Sequence, residues 1–359
     1  MTGALVLLCV IVLVLINVPI AVSLGIAAVV AMLATQGTAI LWRGDFQNAR
    51  QLLDALARRI DRKPLKSMSS LRDSFHLFRQ AQALRARTLG RLLLPFEADY
   101  TIPLRRAPDV RQACCEAFGP AEQPLVGPLR TLLGAIGAHE WRKNGIEVPA
   151  LGARIHPHYG VFAPIRPEYV ELVARAPLPS RTLAFDVGTG TGVLAALLAR
   201  QGVARVIATE KDERALACAR DNIARLGLEH QVEVLRADLF PEGSAPLIVC
   251  NPPWIPGRPS STVEAAIYDE ACRMLRGFIA GVRPHLESGG EAWLLLSDLA
   301  ERLGLRTREE LLAMFDDAGL DVVDRLDAQP VHPRTREVRD PLHAARAAEI
   351  TSLWRLVER

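Results

Sequence analysis

Short apolar segments alternate with helix-forming segments through the second half of the chain. The apolar runs that predict strands are Thr182–Val187, Arg205–Thr209, Val232–Leu235, Leu247–Cys250 and Ala292–Ser297. Helical patterns separate them, and strands that alternate with helices indicate a parallel sheet built from βαβ units. Two further runs, Leu320–Val323 and Ile350–Leu356, suit an antiparallel pair at the end of such a sheet. The pattern therefore predicts an α/β fold.

The N-terminus is a long apolar stretch with a different pattern. Ala4–Leu33 consists almost wholly of Leu, Val, Ile and Ala, and Arg43 is the first charged residue. A spanning helix needs about 20 apolar residues. Pro19 interrupts the run, because proline removes a backbone donor and clashes with the preceding turn. Residues 1–42 are therefore predicted as one tilted or kinked membrane span, or as a helical hairpin broken near Val18.

Basic residues concentrate directly after this stretch, in 43–66. Because positive charge favours the cytoplasmic side, the pattern predicts a membrane anchor with the rest of the chain in the cytoplasm. Val18–Gly25 and Gly25–Leu33 resemble the start of the large membrane subunit of tripartite dicarboxylate-type transporters. A gene-start or fusion artefact would explain the same mixture and would make the protein cytoplasmic. A buried core helix is the structural alternative.

Length and net charge exclude few classes of function. The 359 residues predict two to three units. We assign a hydrophobic membrane segment (1–42), a basic linker (43–66), a helical accessory domain (67–150) and the α/β domain (151–359). The net charge of +3 does not by itself indicate a polyanionic partner. The six cysteines form no CxxC pair, so we expect no metal site, no disulfide framework and a reducing compartment.

A glycine-rich turn follows the first predicted strand of the α/β domain. Its residues are Asp186, Gly188, Thr189, Gly190 and Gly192. Glycines at a strand-to-helix turn let the backbone approach a ligand where a Cβ would collide. Valine stands at 193, where a dinucleotide fingerprint would have its third glycine. This departure favours S-adenosylmethionine over NAD as the cofactor.

Two acidic residues end the next two strands. Glu210 lies 20 residues beyond Gly190, at the position where an acid accepts hydrogen bonds from ribose hydroxyls. Asp238 follows the third strand and is the predicted partner of an adenine amino group. A surface carboxylate and a capping residue are the respective structural alternatives.

The fourth predicted strand is followed directly by Asn251-Pro252-Pro253-Trp254. These residues lie at the carboxyl end of the strand, and ligands of open α/β sheets bind at the edge formed by such ends. The prolines restrict the backbone. The Asn251 side-chain oxygen and the Pro252 carbonyl can together accept both hydrogens of a planar amino group, which aims the nitrogen lone pair at a methyl donor. Trp254 offers a flat surface on which an amide or a base can stack.

With these motifs, residues 154–300 resemble class I S-adenosylmethionine-dependent methyltransferases of the amino-group branch. The resemblance extends to HemK-type release-factor glutamine methyltransferases and to small-domain ribosomal RNA guanine-N2 enzymes. It implies a seven-stranded Rossmann-like sheet of order 3-2-1-4-5-7-6. The functional positions that it implies are Asp186, Gly188 and Gly190 for the methionine part, Glu210 for ribose, Asp238 for adenine and Asn251–Trp254 for the target nitrogen.

Further residues resemble both the HemK-type enzymes and the ribosomal RNA enzymes. Tyr159–Pro164, which includes Phe162, resembles the segment that covers the cofactor. Arg166-Pro167-Glu168 resembles the HemK version in part, whereas Gly160–Phe162 resembles the RNA version. HemK-type enzymes usually have tyrosine and the RNA enzymes phenylalanine where Trp254 stands. The resemblance therefore does not separate the two substrates.

We expect an N-methyltransferase, with a protein glutamine, as in a release factor, favoured as substrate. A nucleobase amine, as in ribosomal RNA, is the alternative, and a non-catalytic membrane-tethered module with a relic cofactor fold is the alternative of another class. The basic run His332–Arg339 could contact RNA phosphate or an acidic protein patch, or be a solvated loop. The sequence does not indicate an oligomeric state.

Overall fold

The computed structural model describes residues 10–13, 29–62, 68–260, 262–330 and 341–359. The basic run His332–Arg339 lies outside these residues. The chain divides into two compact units. The first comprises Met1–Ser67 and His76–Glu140, and the second comprises Met68–Phe75 and Trp141–Arg359.

The first unit is built on a four-stranded sheet of order β1-β2-β3-β4. Strands β1 to β3 are parallel, and β4 runs antiparallel to β3. The elements up to the end of this unit are β1 (Val10–Leu13), α1 (29–35), β2 (Ala39–Trp42), α2 (Phe46–Asp61), α3 (Leu71–Leu89), β3 (Leu92–Phe96), α4 (Arg111–Phe118), β4 (Leu125–Pro128) and α5 (Leu129–Asn144).

The described part of the predicted membrane segment forms two strands and a short helix rather than one spanning helix. Val10–Leu13 pairs with Ala39–Trp42 in parallel, and Ile40 and Trp42 are buried in the core of the first unit. Strands of a parallel sheet that are buried on both faces read as continuous apolar runs, so part of this hydrophobicity reflects a buried sheet. No helix among the described residues has the length and apolarity needed to cross a membrane. Residues 1–9 and 14–28 of the predicted segment lie outside the described part.

The accessory region 67–150, which was predicted to be helical, also contains strands. The expected helices are present as α3, α4 and α5, but strands Leu92–Phe96 and Leu125–Pro128 lie between them and pair with each other. The side chains of β3 alternate between buried and half-buried positions, because one face of the strand packs on the core. Pro95 lies within this strand.

The second unit contains a seven-stranded sheet of order β14-β15-β13-β10-β7-β8-β9. When only the strands of this sheet are numbered along the chain from β7, the order read from β9 to β14 is 3-2-1-4-5-7-6, which confirms the prediction. Its elements are β5 (Ile146–Val148), β6 (Ala153–Ile155), α6 (Glu168–Arg175), β7 (Leu183–Val187), α7 (Val193–Arg200), β8 (Arg205–Glu210), α8 (Glu213–Arg225), β9 (Val232–Arg236), β10 (Ala245–Cys250), β11 (Ile255–Pro256), α9 (Thr262–Ala265), β12 (Tyr268–Asp269), α10 (Arg273–His285), β13 (Leu286–Ser297), α11 (Leu299–Arg302), α12 (Arg308–Asp317), β14 (Leu320–Ala328), α13 (His343–Ala347) and β15 (Thr351–Glu358).

The pleat of the central strands builds a core on each face of this sheet. In β10, Leu247 and Val249 belong to one buried cluster, whereas Ile248 and Cys250 belong to the other, because successive side chains point to opposite faces. Strands β7, β8, β9, β10 and β13 are parallel neighbours, so their carboxyl ends meet at one edge. The glycine loop, Asp238 and Asn251–Trp254 follow three of these strands at this edge, and Glu210 ends a fourth.

Candidate active site

The glycine-rich loop after β7 is folded against the end of β8. The backbone N–H groups of Gly188 and Thr189 both donate to the carbonyl of Thr209, at 3.0 and 2.9 Å. Gly188, Gly190 and Gly192 all have positive φ, at 73°, 57° and 81°, a region that side chains with a Cβ rarely enter. Apart from Gly190 and its two chain neighbours, no atom of the described chain lies within 4 Å of the place where a Cβ on Gly190 would stand. The loop therefore leaves open space beside the backbone of Gly190.

Asp186 holds the first turn of this loop from inside the protein. Its side chain is 1% exposed, and Oδ2 accepts hydrogen bonds from Thr189 Oγ1 at 2.6 Å and from the Ala195 N–H at 3.0 Å. Burial raises the pKa of this carboxyl to about 6, although the two hydrogen bonds lower it. The carboxylate thus titrates close to neutral pH.

Glu210 connects the end of β8 with the glycine loop. Its Oε2 accepts from the Gly190 N–H at 3.1 Å, and Oε1 accepts from the backbone N–H groups of Lys211 and Asp212 at 2.8 and 3.0 Å. The three hydrogen bonds fix the carboxylate at the ligand-binding edge of the sheet. This is the location predicted for an acid that accepts from ribose hydroxyls.

Asp238 lies further out at the same edge, after β9. Its side chain is 68% exposed, and its Oδ2 lies 2.5 Å from the Nζ of Lys211. An exposed ion pair contributes little to stability, so this side chain can exchange partners at low cost. The structure therefore leaves Asp238 able to turn to a ligand that lies along the edge.

The loop Asn251–Trp254 leaves β10 beside the glycine loop. Cys250, the last residue of β10, is paired with Val187, the last residue of β7. The residues that follow, Asn251 and Gly188, consequently start adjacent loops at the same edge. Sequence and structure agree in bringing these two motifs together.

The side chains of Asn251 and Trp254 are hydrogen-bonded to each other. The indole Nε1 of Trp254 donates to Oδ1 of Asn251 at 2.8 Å. A carbonyl oxygen has two lone pairs, so one remains for a further donor. The guanidinium carbon of Arg166 lies over the indole, 4.6 Å from the ring centroid, and the ring also packs on both core clusters. The stacking surface predicted for Trp254 is therefore partly taken by the protein itself.

Asn222 is a positioning residue that sequence reasoning missed. It lies on α8, is 1% exposed, and its Nδ2 donates to the carbonyls of Thr191 and Cys218, both at 3.1 Å. Its Oδ1 accepts from the His156 N–H at 2.7 Å. The side chain thus joins the glycine loop to the segment that leads to Phe162. A polar residue on the apolar face of a predicted helix was the available signal.

The segment around Phe162 is anchored on the same helix. Val161 is buried against Ala215 and Cys218 of α8, and Phe162 beside it is half-buried. An aromatic side chain next to an anchored backbone can cover a flat ligand without much loss of rotamer freedom. This placement suits the covering role predicted for Phe162.

Together, these residues form an edge suited to a nucleoside with a flexible charged tail. Close backbone approach is possible at Gly190, a fixed carboxylate stands at Glu210, and an exchangeable one stands at Asp238. Asn251 presents a neutral acceptor oxygen directly beside this cradle. The set fits S-adenosylmethionine, whose methyl group must meet an acceptor atom, better than a pyrophosphate cofactor.

Comparison with known proteins agrees with this fit. Residues 153–304 match the family model of the methyltransferase small domain. A release factor glutamine methyltransferase of Mycolicibacterium smegmatis is 40% identical over 134 residues, which cover 35% of this chain and 47% of that protein. A release factor glutamine methyltransferase of Caulobacter vibrioides is 29% identical over 168 residues, which cover 44% of this chain and 58% of the relative.

The resemblance extends to a second group of protein methyltransferases. A ribosomal protein L11 methyltransferase of Symbiobacterium thermophilum is 44% identical over 66 residues, which cover 18% of this chain and 22% of that protein. The chain spans about half of the length of the M. smegmatis relative and about a fifth of the S. thermophilum one. Residues 153–304, which match the family model, include the glycine loop, Glu210, Asp238 and Asn251. Residues 153–304 are therefore similar to the methyltransferase small domain, and the cofactor that their site fits is S-adenosylmethionine.

Proposed function

We propose that the protein transfers the methyl group of S-adenosylmethionine to the side-chain amide nitrogen of a glutamine in a protein substrate. The observation that carries this proposal is the Asn251 oxygen, which stands beside the glycine loop with one lone pair still available. The names of the relatives support a protein substrate, because both groups methylate proteins of the translation machinery. A nucleobase amine remains the alternative substrate.

The chemistry follows from orientation. S-adenosylmethionine supplies an electrophilic methyl group when bound. Asn251 Oδ1 accepts one hydrogen of the target amide, and the Pro252 carbonyl accepts the other. Holding both hydrogens withdraws the nitrogen lone pair from conjugation and aims it at the methyl carbon. Nitrogen gains the methyl group, sulfur keeps the bonding electron pair, and the nitrogen releases one proton to water. Fixing reactants in line can supply several kcal/mol of the barrier lowering.

Affinity for S-adenosylmethionine is expected to increase as the pH rises from about 5 to about 7. The pKa of Asp186 is about 6 because the carboxyl is buried, and its ionised form attracts the cationic cofactor. Below this pKa, each pH unit should weaken binding by up to tenfold. Calorimetric titration across this pH range measures how the affinity for the cofactor changes with pH. Asp186→Asn keeps an acceptor for Thr189 and Ala195 and should bind with little pH dependence.

The same pKa has the opposite effect on the ligand-free fold. Because folding raises the pKa of Asp186 above 3.8, protonation stabilises the folded state. This contribution is fully present below pH 3.8 and is lost as the pH rises through about 6. Wild-type chain that showed the same flat pH profile as Asp186→Asn would contradict the assigned role of this carboxylate.

The proposal is tested by offering the full chain several substrates together with methyl-labelled S-adenosylmethionine. The substrates are purified release factors, ribosomal protein L11, and ribosomal RNA. We expect label in a protein, and peptide mass spectrometry should place one added methyl group on a glutamine. Asn251→Ala serves as the low-activity control, so that label transferred by a contaminating methyltransferase is recognised.

The outcomes separate the alternatives. Label in RNA alone would overturn the glutamine proposal in favour of a nucleobase amine. Cofactor binding without label in any substrate would favour a relic cofactor fold. The membrane anchoring predicted from the N-terminal charge pattern stays a prediction, which cell fractionation of the native product tests directly.

A further inference from the structure

Arg166 is held between two buried carboxylates at the ligand-binding edge of the second unit. Its Nε donates to Glu168 Oε1 at 2.5 Å, and both terminal nitrogens donate to Glu349 Oε1 at 3.0 Å. The two glutamates are 2% and 4% exposed. A planar guanidinium that bridges two buried acids loses most of its rotational freedom. Arg166 is therefore fixed in direction as well as in place.

Glu349 is in turn attached to the end of the sheet. Ser297 Oγ donates to Glu349 Oε1 at 2.5 Å, and Arg166 also donates to Thr351 Oγ1 at 3.3 Å. Ser297 ends β13 and Thr351 begins β15, and the two residues pair directly across these strands. The position of the guanidinium is thus set by the rigid sheet rather than by a loop.

The fixed guanidinium lies on the ring that orients Asn251. Arg166 Cζ is 4.6 Å from the centroid of the Trp254 ring, and the Trp254 N–H donates to Asn251 Oδ1 at 2.8 Å. A cation over an indole face stabilises that ring orientation. Loss of the stack would let the indole rotate and take its N–H away from Asn251. The contacts form one continuous chain from the sheet to the acceptor oxygen.

We propose that Arg166 is a positioning residue for methyl transfer: it fixes the Trp254 indole and, through the indole N–H, the direction of the Asn251 side-chain oxygen. The inference rests on the proposed function for its kinetic consequence. It assigns Trp254 the task of orienting Asn251, in addition to any contact with the substrate. An oxygen with one lone pair already occupied has a single direction left for the target N–H.

A double-mutant cycle tests this coupling. Arg166→Lys keeps the positive charge between the two glutamates but removes the planar stack, and Trp254→Phe keeps a ring but removes the N–H. Each variant should lower kcat by about tenfold, because misplacement of a reacting group by a fraction of an ångström is costly. The double variant should also lose about tenfold rather than about hundredfold, since both changes break one chain of contacts. KM and cofactor affinity should change by less than about threefold.

Arg325 provides a matched control in the same unit. Its guanidinium carbon lies 5.1 Å from the centroid of the Trp354 ring, and it pairs with Asp327 at 2.7 Å. Arg325→Lys therefore removes a stack of the same kind without touching Asn251, and kcat should stay unchanged. Full activity of Arg166→Lys, or additive losses in the cycle, would overturn the inference while leaving the proposed function intact.

A spectroscopic measurement decides the same question without a substrate. The chain has five tryptophans, so ¹⁵N-labelled protein gives few indole signals, and Trp254→Phe identifies the one that disappears. In Arg166→Lys this signal should shift and its N–H should exchange faster with water, whereas Arg325→Lys should leave it unchanged. An unchanged Trp254 indole signal in Arg166→Lys would overturn the inference even if the wild-type chain transferred no methyl group.

Discussion

Asn251→Ala is expected to lower kcat for methyl transfer by about 10²–10³-fold, the range found when one oriented polar group is removed from an active site. The substitution deletes the oxygen that accepts the target N–H and leaves the cofactor cradle at Gly190 and Glu210 in place. Cofactor affinity should therefore change by less than about threefold, and KM should change little. Single-turnover transfer together with calorimetric titration of the cofactor measures both quantities.

Asn251→Asp is the matched control for this prediction, because it keeps an acceptor oxygen in the same place. It should retain more activity than the alanine variant, although its charge changes the hydrogen bond to Trp254. Equal rates for wild type and Asn251→Ala would show that the acceptor oxygen is not needed, and the amide-orienting mechanism would be wrong. The free indole N–H of Trp254 gives an internal check, since Asn251→Ala should also shift its ¹⁵N signal.

The sheet and its loops could be predicted because their signals are local. Each of the five parallel strands of the second unit contains a short apolar run, and four of them lead directly into the residues of one site loop, so the order of motifs along the chain determines which loops share an edge. Asp186 lies near the end of β7, Glu210 ends β8 and Asn251 follows β10, and these three strands are neighbours in the sheet. Parallel strands and right-handed crossovers left few other arrangements.

The N-terminal unit could not be predicted in the same way. A continuous apolar run is compatible with a membrane span and with a strand that is buried on both faces. Ala39–Trp42 belongs to the second kind, since all four residues are buried in the sheet. Only the partner strands distinguish the two structures: β1 lies before this run, and β3 pairs Leu92 with Ile40, 52 residues further along the chain, and hydropathy contains no information about either pairing.

Local sequence patterns also do not predict the contacts that orient the active-site loop. Arg166 and Glu349 are 183 residues apart, and neither belongs to the motifs that predict the cofactor site. Arg166 entered the sequence argument only through the resemblance of Arg166-Pro167-Glu168 to HemK-type enzymes. Its proximity to Trp254 became evident once the fold placed Arg166 between the start of β15 and the loop that follows β10. Motifs therefore predict which residues meet a ligand, whereas tertiary structure is needed to find what holds them in place.

Gly190→Val is expected to weaken binding of S-adenosylmethionine by at least about 100-fold. The backbone φ of 57° is strained for a β-branched residue, which costs about 1–3 kcal/mol. The larger effect comes from the ligand side: an added side chain would enter the space beside the loop in which no atom of the described chain lies within 4 Å. Calorimetric titration with S-adenosylmethionine measures the loss.

Gly227→Val separates the two contributions. Gly227 follows α8, has a φ of 67°, and likewise has no described atom within 4 Å of an added Cβ, so valine there introduces comparable strain away from the loop. Both variants should lower the melting temperature to a similar extent, but only Gly190→Val should lose the cofactor. If Gly190→Val bound the cofactor as tightly as Gly227→Val does, the open space at the glycine loop would not be where the cofactor lies. The proposed position of the methyl donor beside Asn251 would then also be wrong, because it depends on the close approach of the donor to the Gly190 backbone.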